Sequence, residues 1–259
     1  MGMLEGCTTL VAGGGSGIGR AVAKRFHDEG SFVFICGRRE ARLRESCGFI
    51  SPSGEGVVAV QADLTRGEDI ERLAESIRAG CGGLDALVNC AGIMRFGGLE
   101  TLEPGALREI LDINAVAPWQ LSVAMLPLMR AREAASIVNI ASISGMRPFE
   151  GSGAYCMSKS ALIMMSQVMA LELAPEGIRV NVLCPGLVED TELGDAIFSP
   201  EQVEASYTRF RSTHPLGRNG KPIDVAEAAL FLASAQSSWI TGAVLPVDGG
   251  RHLASNKPA

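Results

Sequence analysis

Short apolar, β-branched runs alternate with longer helical patterns along the whole chain, and the runs lack any inside–outside alternation. They fall at Thr8–Ala12, Phe32–Cys36, Val57–Gln61, Ala86–Asn89, Ile137–Ile140, Arg179–Cys184 and Val244–Val247. Helical patterns cover Ile18–Glu29 and lie near 39–47, 68–79, 104–131, 153–173 and 223–233. A strand that is apolar on both faces must be covered on both faces. Repeated β-α-β units of this kind predict an α/β domain: a doubly wound parallel sheet of about seven strands with helices on both faces. The 259 residues suit one such domain, spanning 1–259. Residues 187–221 are polar and interrupted by Pro200 and Pro215, so they read as an irregular lid over a site.

Composition narrows the function. Net charge is −6, and the cations are dispersed without a polybasic run. This argues against a nucleic-acid binder. Seven cysteines show no C-x-x-C pair, and the three histidines are not spaced near them. No metal site is expected; the thiols read as small buried hydrophobes in a reducing, cytoplasmic setting. The N-terminus lacks a basic stretch before an apolar one, so no leader is read. The longest uncharged run, Ala228–Val247, carries Ser234, Gln236, Ser237 and Pro246, the wrong make-up for a membrane span.

Glycine is over-used, 31 of 259 residues, and its densest cluster is Gly13-Gly14-Gly15-Ser16-Gly17-Ile18-Gly19. The cluster follows a strand pattern and opens a helix. That context gives a dinucleotide pyrophosphate bare backbone N–H groups at a helix N-terminus. No Lys-Ser/Thr follows, which excludes a Walker A loop. The dinucleotide reading also predicts a ribose-contacting residue at the end of the second strand. Arg38 and Arg39 stand there in place of the usual acid. Guanidinium groups bind a 2′-phosphate and a carboxylate repels it, which favours NADP(H), with NAD(H) as the alternative.

Tyr155 and Lys159 stand at i and i+4, one turn apart on a helix face. With two tyrosines and four lysines in the chain, chance gives such a pair about 3% of the time. An ammonium beside a phenol favours phenolate, so the pair suits proton exchange with a carbonyl or alcohol oxygen.

From Leu4 to Gly250 these features resemble the short-chain dehydrogenases/reductases, in the branch of about 250 residues whose fold is Rossmann-type. Ala12–Gly19 matches the cofactor turn T-G-x-x-x-G-I-G, with Ala12 in place of Thr. Asp63-Leu64 matches the adenine-contacting pair, and Asn89-Cys90-Ala91-Gly92 matches N-N-A-G with Cys90 for the second Asn. Asn114, Ser142 and Pro185-Gly186 fall on family landmarks. So do Pro215–Arg218 and Asp248–Gly250. Thr191 comes one position later than in P-G-x-x-x-T.

The resemblance implies that Tyr155 exchanges the proton and that Ser142 holds the substrate oxygen. Lys159 would lower the Tyr155 pKa and bind the nicotinamide ribose, and Asn114 would anchor a proton-relaying water. Cofactor contacts are expected at Gly13, Gly15, Ser16, Gly17, Ile18, Gly19, Arg38, Arg39, Asp63, Leu64, Asn89, Ala91, Gly92, Tyr155, Lys159, Pro185, Gly186, Val188 and Thr191. Substrate contacts are expected at Met94, Phe96, Ser142, Phe149, Tyr155 and Leu187. Ile143, Met146, Leu193, Phe198, Tyr207 and Phe210 are expected nearby, and Arg95 as a solvated charge. The set suits a medium-sized apolar ketone or alcohol. A 3-oxoacyl-[acyl-carrier-protein] reductase is the rival enzyme, with Arg130 and Arg132 as its basic landing patch and Glu172 and Glu176 against it. A non-catalytic dinucleotide-binding sensor or scaffold is the reading of a different class. The resemblance also implies a homotetramer or homodimer packed through the two long helices and the C-terminal strand.

Overall fold

The computed structural model describes residues 2–193 and 199–254. Seven strands form one parallel sheet: β1 Thr8–Ala12, β2 Phe32–Gly37, β3 Val57–Gln61, β4 Ala86–Asn89, β5 Ala135–Ile140, β6 Ile178–Pro185 and β7 Val244–Val247. Their order is β3-β2-β1-β4-β5-β6-β7, with every neighbouring pair parallel. The expected strands are all present, some longer by a residue or two.

The absence of alternation has a direct cause. Successive residues of a strand point to opposite faces, and here both faces are core. Leu10, Phe34, Leu87 and Ile137 join one apolar cluster, with Leu73, Leu121, Met125 and Met169. Their chain neighbours Val11, Ile35, Val88 and Val138 join the other, with Val22, Phe26, Val225 and Leu230. Helices α3 (Gly67–Cys81), α5 (Ala117–Met129) and α6 (Gly153–Leu173) cover the first face. Helices α1 (Gly17–Asp28) and α8 (Pro222–Ala233) cover the second.

From β1 the chain winds outward to β2 and β3, then returns to place β4 on the other side. Ala12 is thus flanked by Cys36 and Asn89. This reversal opens a crevice beyond the carboxyl ends of β1 and β4, where ligands of open α/β sheets bind.

Two expectations need correction. The helix expected over 104–131 is interrupted: α4 (Pro104–Leu111) leads into a π-helical turn, Asp112–Val116, before α5 begins. Pro118 has no N–H to donate to Asn114, which favours a wide turn at that point. The segment 187–221 is not wholly irregular. It carries helix α7 (Pro200–Arg211), started by a capping box in which Ser199 Oγ accepts from Gln202 N and Ser199 N donates to Gln202 Oε1. The remaining helix, α2 (Glu40–Ile50), follows β2 closely.

Candidate active site

A cleft of about 1420 Å³ lies over the crevice and takes in nearly every residue expected from the sequence. Its floor is the glycine turn. Gly13 has φ +82°, and a Cβ there would lie 2.7 Å from Ala91 N. A Cβ on Gly19 would lie 2.2 Å from the Gly13 carbonyl oxygen. These two positions accept no side chain, so the turn stays tight and α1 starts against it. The backbone around Gly15, Ser16 and Gly17 faces the cleft bare. That is the cradle a pyrophosphate needs at a helix N-terminus, and the residues present fit a dinucleotide.

At the far end of β2, Arg38 is exposed. Its backbone carbonyl accepts from Gln61 Nε2 at 2.9 Å, and its guanidinium has no partner among the described residues. Arg39 and Arg42 both meet Glu192, which comes from the segment after β6. Arg39 Nη2 donates to Glu192 Oε2, and Arg42 Nη2 lies 3.0 Å from Oε1. Burial pushes the Glu192 carboxyl up, but Arg39, Ser16 and Arg42 outweigh it and hold it below its ordinary value. Arg42 and Glu192 escaped the sequence reading; their only signal was proximity to Arg39 and Thr191. Asp63 caps a turn: its Oδ1 accepts from Thr65 N at 3.0 Å and Thr65 Oγ1 at 2.8 Å.

Thr191 reaches the glycine turn despite its extra residue. A Cβ on Gly17 would touch Thr191 at 3.4 Å. The residue before it, Asp190, has φ +57°, so the chain reverses in a left-handed step just ahead of Thr191. Asn89 is turned inward. Its Nδ2 donates to Asn139 Oδ1 at 2.7 Å and Ser122 Oγ at 3.1 Å, tying β4 to β5 and α5. Its Oδ1 is buried with no hydrogen-bond partner among the described residues.

The catalytic candidates converge where β5 ends and α6 begins. Ser142 starts a 3₁₀ turn, Ile143–Gly145, and its Oγ accepts from Ser144 N at 3.1 Å. Ser142 and Tyr155 both line the cleft. Lys159 Nζ donates to the Ile140 carbonyl at 3.0 Å and sits 5.8 Å from the Tyr155 ring centre. Tyr155, Lys159 and Ser142 are all buried.

Burial dominates their titration. It pushes the Tyr155 phenol up to about 12, while Ser142 pulls it down. It pushes the Lys159 ammonium down to about 8. Without cofactor, then, Ser142 rather than Lys159 is the main group favouring phenolate. Cys90, at the second position of the Asn89–Gly92 motif, is half-buried, and desolvation pushes its thiol up to about 12. It is uncharged near neutral pH.

Asn114 is fully buried behind the cleft wall. It clamps the segment after β4 at two points: Oδ1 accepts from Ile93 N at 2.8 Å, and Nδ2 donates to the Ile93 carbonyl at 2.8 Å. Nδ2 also donates to Ser158 Oγ at 3.1 Å, linking the clamp to α6. Gly92 lets these groups close in. A Cβ there would lie 3.2 Å from Asn114 Oδ1 and 3.4 Å from Lys159 Nζ.

Beyond Tyr155 the wall is Met94, Phe96, Ile143, Phe149, Leu187, Leu193, Tyr207 and Phe210. Phe198 lies outside the described residues. Met146 is exposed and away from the cleft lining, and Arg95 pairs with Glu109 at 3.4 Å on the surface. Two further residues in the wall had no sequence signal. Arg251 is buried with its guanidinium 5.6 Å over the Phe149 ring. His214 is buried, and its Nδ1 lies 3.0 Å from the Phe210 carbonyl. That bond makes Nδ1 the donor and leaves Nε2 bare beside Gly186.

Comparison with known proteins gives the family. A family model described as enoyl-(acyl carrier protein) reductase matches residues 12–252. The 2-(S)-hydroxypropyl-CoM dehydrogenase 3 of Xanthobacter autotrophicus is 34% identical, across 93% of this chain and 94% of that protein. The 3-oxoacyl-[acyl-carrier-protein] reductase FabG of Haemophilus influenzae is 33% identical, across 97% of this chain and 100% of that protein. A short-chain dehydrogenase/reductase structure from Burkholderia xenovorans superposes with TM-score 0.92 at 32% identity, covering 99% of this chain and 100% of that one. The chain belongs to the short-chain dehydrogenase/reductase family, oxidoreductases that use NAD(P)(H) on CH–OH and C=O groups.

Proposed function

We propose that this protein reduces a ketone with NADPH, or oxidises the matching secondary alcohol, on a mostly apolar substrate. The observation that carries the cofactor choice is Arg38, an exposed guanidinium with no partner among the described residues, at the end of β2 where an NAD-binding site would have an acid. The bound nicotinamide supplies the hydride. The chain supplies the rest. Ser142 donates to the substrate oxygen and fixes it beside the Tyr155 hydroxyl, which gives or takes the proton. Lys159, held against Ile140, places positive charge next to that phenol and meets the nicotinamide ribose. Pro118 cannot supply the amide that the Asn114 carbonyl would ordinarily accept. That carbonyl is our candidate for the water that passes protons from Lys159 to solvent.

The test is a panel of ketones and alcohols with both cofactors, followed by nicotinamide absorbance. We expect Tyr155→Phe to bind cofactor and to lose turnover. We expect Arg38→Ala to raise the KM for NADPH far more than that for NADH. Equal changes in the two KM values would refute the 2′-phosphate assignment, and normal turnover in Tyr155→Phe would refute the role of Tyr155; a native protein that binds cofactor but turns over nothing in the panel would favour the sensor reading.

The acyl-carrier-protein reading draws support from the Haemophilus relative. The surface offers it less. Arg130 is held by Glu176, at 2.8 Å through Nη2, and Arg132 donates to the Cys81 and Gly83 carbonyls and faces Asp85 at 3.4 Å. Neither is an open landing point for an acidic partner. Among the described residues no helix is long and apolar enough to cross a membrane.

We also propose assembly into a homotetramer or homodimer through α5 and α6. Trp119 and Val123 form an exposed apolar stripe on α5, and Met157, Met164, Val168 and Leu171 form one on α6. Such stripes on neighbouring helices suit a second copy of the same surface.

A further inference from the structure

We propose that Glu192 sets how strongly the cleft prefers NADPH over NADH, by holding a carboxylate in the seat that the 2′-phosphate would take. The inference rests on the NADPH reading above. Two guanidinium groups define the seat. Arg39 Nη2 donates to Glu192 Oε2, and Arg42 Nη2 lies 3.0 Å from Oε1. Arg39 Nη2 also faces Ser16 Oγ at 3.4 Å, so the cluster is continuous with the glycine turn.

The chemistry of the two cofactors then differs at one carboxylate. A 2′-phosphate is drawn to Arg38, Arg39 and Arg42, but two of the three guanidinium groups are already engaged by Glu192. The dianion must take them from the carboxylate or sit beside a like charge, and either lowers its affinity. The ribose of NADH brings hydroxyl donors instead, which a carboxylate accepts. Glu192 thus supplies in space the acid that the end of β2 lacks in sequence. A Cβ on Gly17 would lie 3.4 Å from Thr191, so the residue beside Glu192 packs close over the glycine turn.

The experiment is titration of the full-length protein with NADPH and with NADH, followed by nicotinamide fluorescence, for the native chain, Glu192→Gln and Arg38→Ala. Competition by 2′-AMP and by 5′-AMP gives a second reading on the same site. Glu192→Gln should tighten NADPH and 2′-AMP by about fivefold, the upper end for an exposed ion pair. It should leave NADH and 5′-AMP unchanged or weaker. NADPH affinity that does not change, or equal tightening of both cofactors, overturns the proposal. Arg38→Ala separates the two levels. If it weakens NADPH alone while Glu192→Gln does nothing, the cofactor reading stands and only the role of Glu192 falls. If it fails to discriminate, the cofactor reading falls and takes the inference with it.

Discussion

Gly145 lies so close to Lys159 that a Cβ on it would stand 2.7 Å from the lysine carbonyl carbon and 2.8 Å from its oxygen. The same atom would meet Ile163 Cδ1 at 2.8 Å. Ser160 Oγ adds a bond to the Gly145 carbonyl at 2.9 Å. The turn that carries Ser142 is therefore docked directly onto the helix that carries Tyr155 and Lys159. The spacing of serine and tyrosine is set by a missing methyl group. Gly145→Ala should push the turn off α6. We expect a loss of about 1–3 kcal/mol in stability, the usual cost of overpacking. We also expect a fall in kcat larger than any change in cofactor affinity. Thermal unfolding and steady-state kinetics check both, and native values of Tm and kcat would refute the docking argument.

Asn114 makes a second, independent support. Its amide satisfies both the N–H and the C=O of Ile93, through an acceptor oxygen and a donor nitrogen on one planar group. Asn114→Asp keeps an acceptor for Ile93 N but faces the Ile93 carbonyl with an oxygen. We expect a cost of about 1–3 kcal/mol, the penalty for a buried polar group left unpaired. Asn114→Ala loses both bonds and should cost at least as much. Denaturant unfolding of the two variants checks the clamp, and native-like stability in both would contradict it.

Strands and helices were legible because their periodicities differ and because both sheet faces are core. The site was legible where chemistry demands a residue type at short range, as at Gly13–Gly19 and Tyr155–Lys159. It was not legible where contact is made across the fold. Glu192 meets Arg39 across 153 positions of sequence, and Arg251 reaches Phe149 from beyond β7. The inward turn of Asn89 depends on Asn139 in the next strand, which no local pattern reveals. The π-turn at Asp112–Val116 did have a signal in Pro118, and α7 had one in Ser199-Pro200-Glu201-Gln202.

Burial of Lys159 predicts a pH signature with a definite sign. Its ammonium is pushed down to about 8 in the folded protein, below the value of about 10.4 for a solvated lysine. The folded state then binds fewer protons than the unfolded state between roughly pH 8 and pH 10. Stability from this group rises with pH across that window, and its full cost is present below it. Lys159→Met should raise stability at pH 7, by at most about 3 kcal/mol, and the difference from the native protein should shrink toward pH 10. The same variant should lose turnover. In the native enzyme kcat/KM for ketone reduction should fall above about pH 8, as the free enzyme loses this charge. A Lys159→Met protein that is less stable at every pH would show that the ammonium is not a strained group.

The apolar stripes on α5 and α6 give the last prediction. Trp119 and Val123 are four residues apart, as are Met164 and Val168, so each pair lies one helical turn apart on one face. All four side chains are exposed, as is Leu171 one turn beyond. An interface built from them in a second copy would bury the stripes against each other, and a stable one needs at least about 1,200 Å² in total. Val123→Arg with Met164→Arg places two charges in the middle of that surface. Neither position is buried in the isolated chain, so folding of the subunit should be retained. We expect the native protein to sediment as a dimer or tetramer and the double variant as a smaller species with unchanged circular dichroism. A native protein that sediments as a monomer at micromolar concentration, or a double variant that assembles normally, would refute the interface.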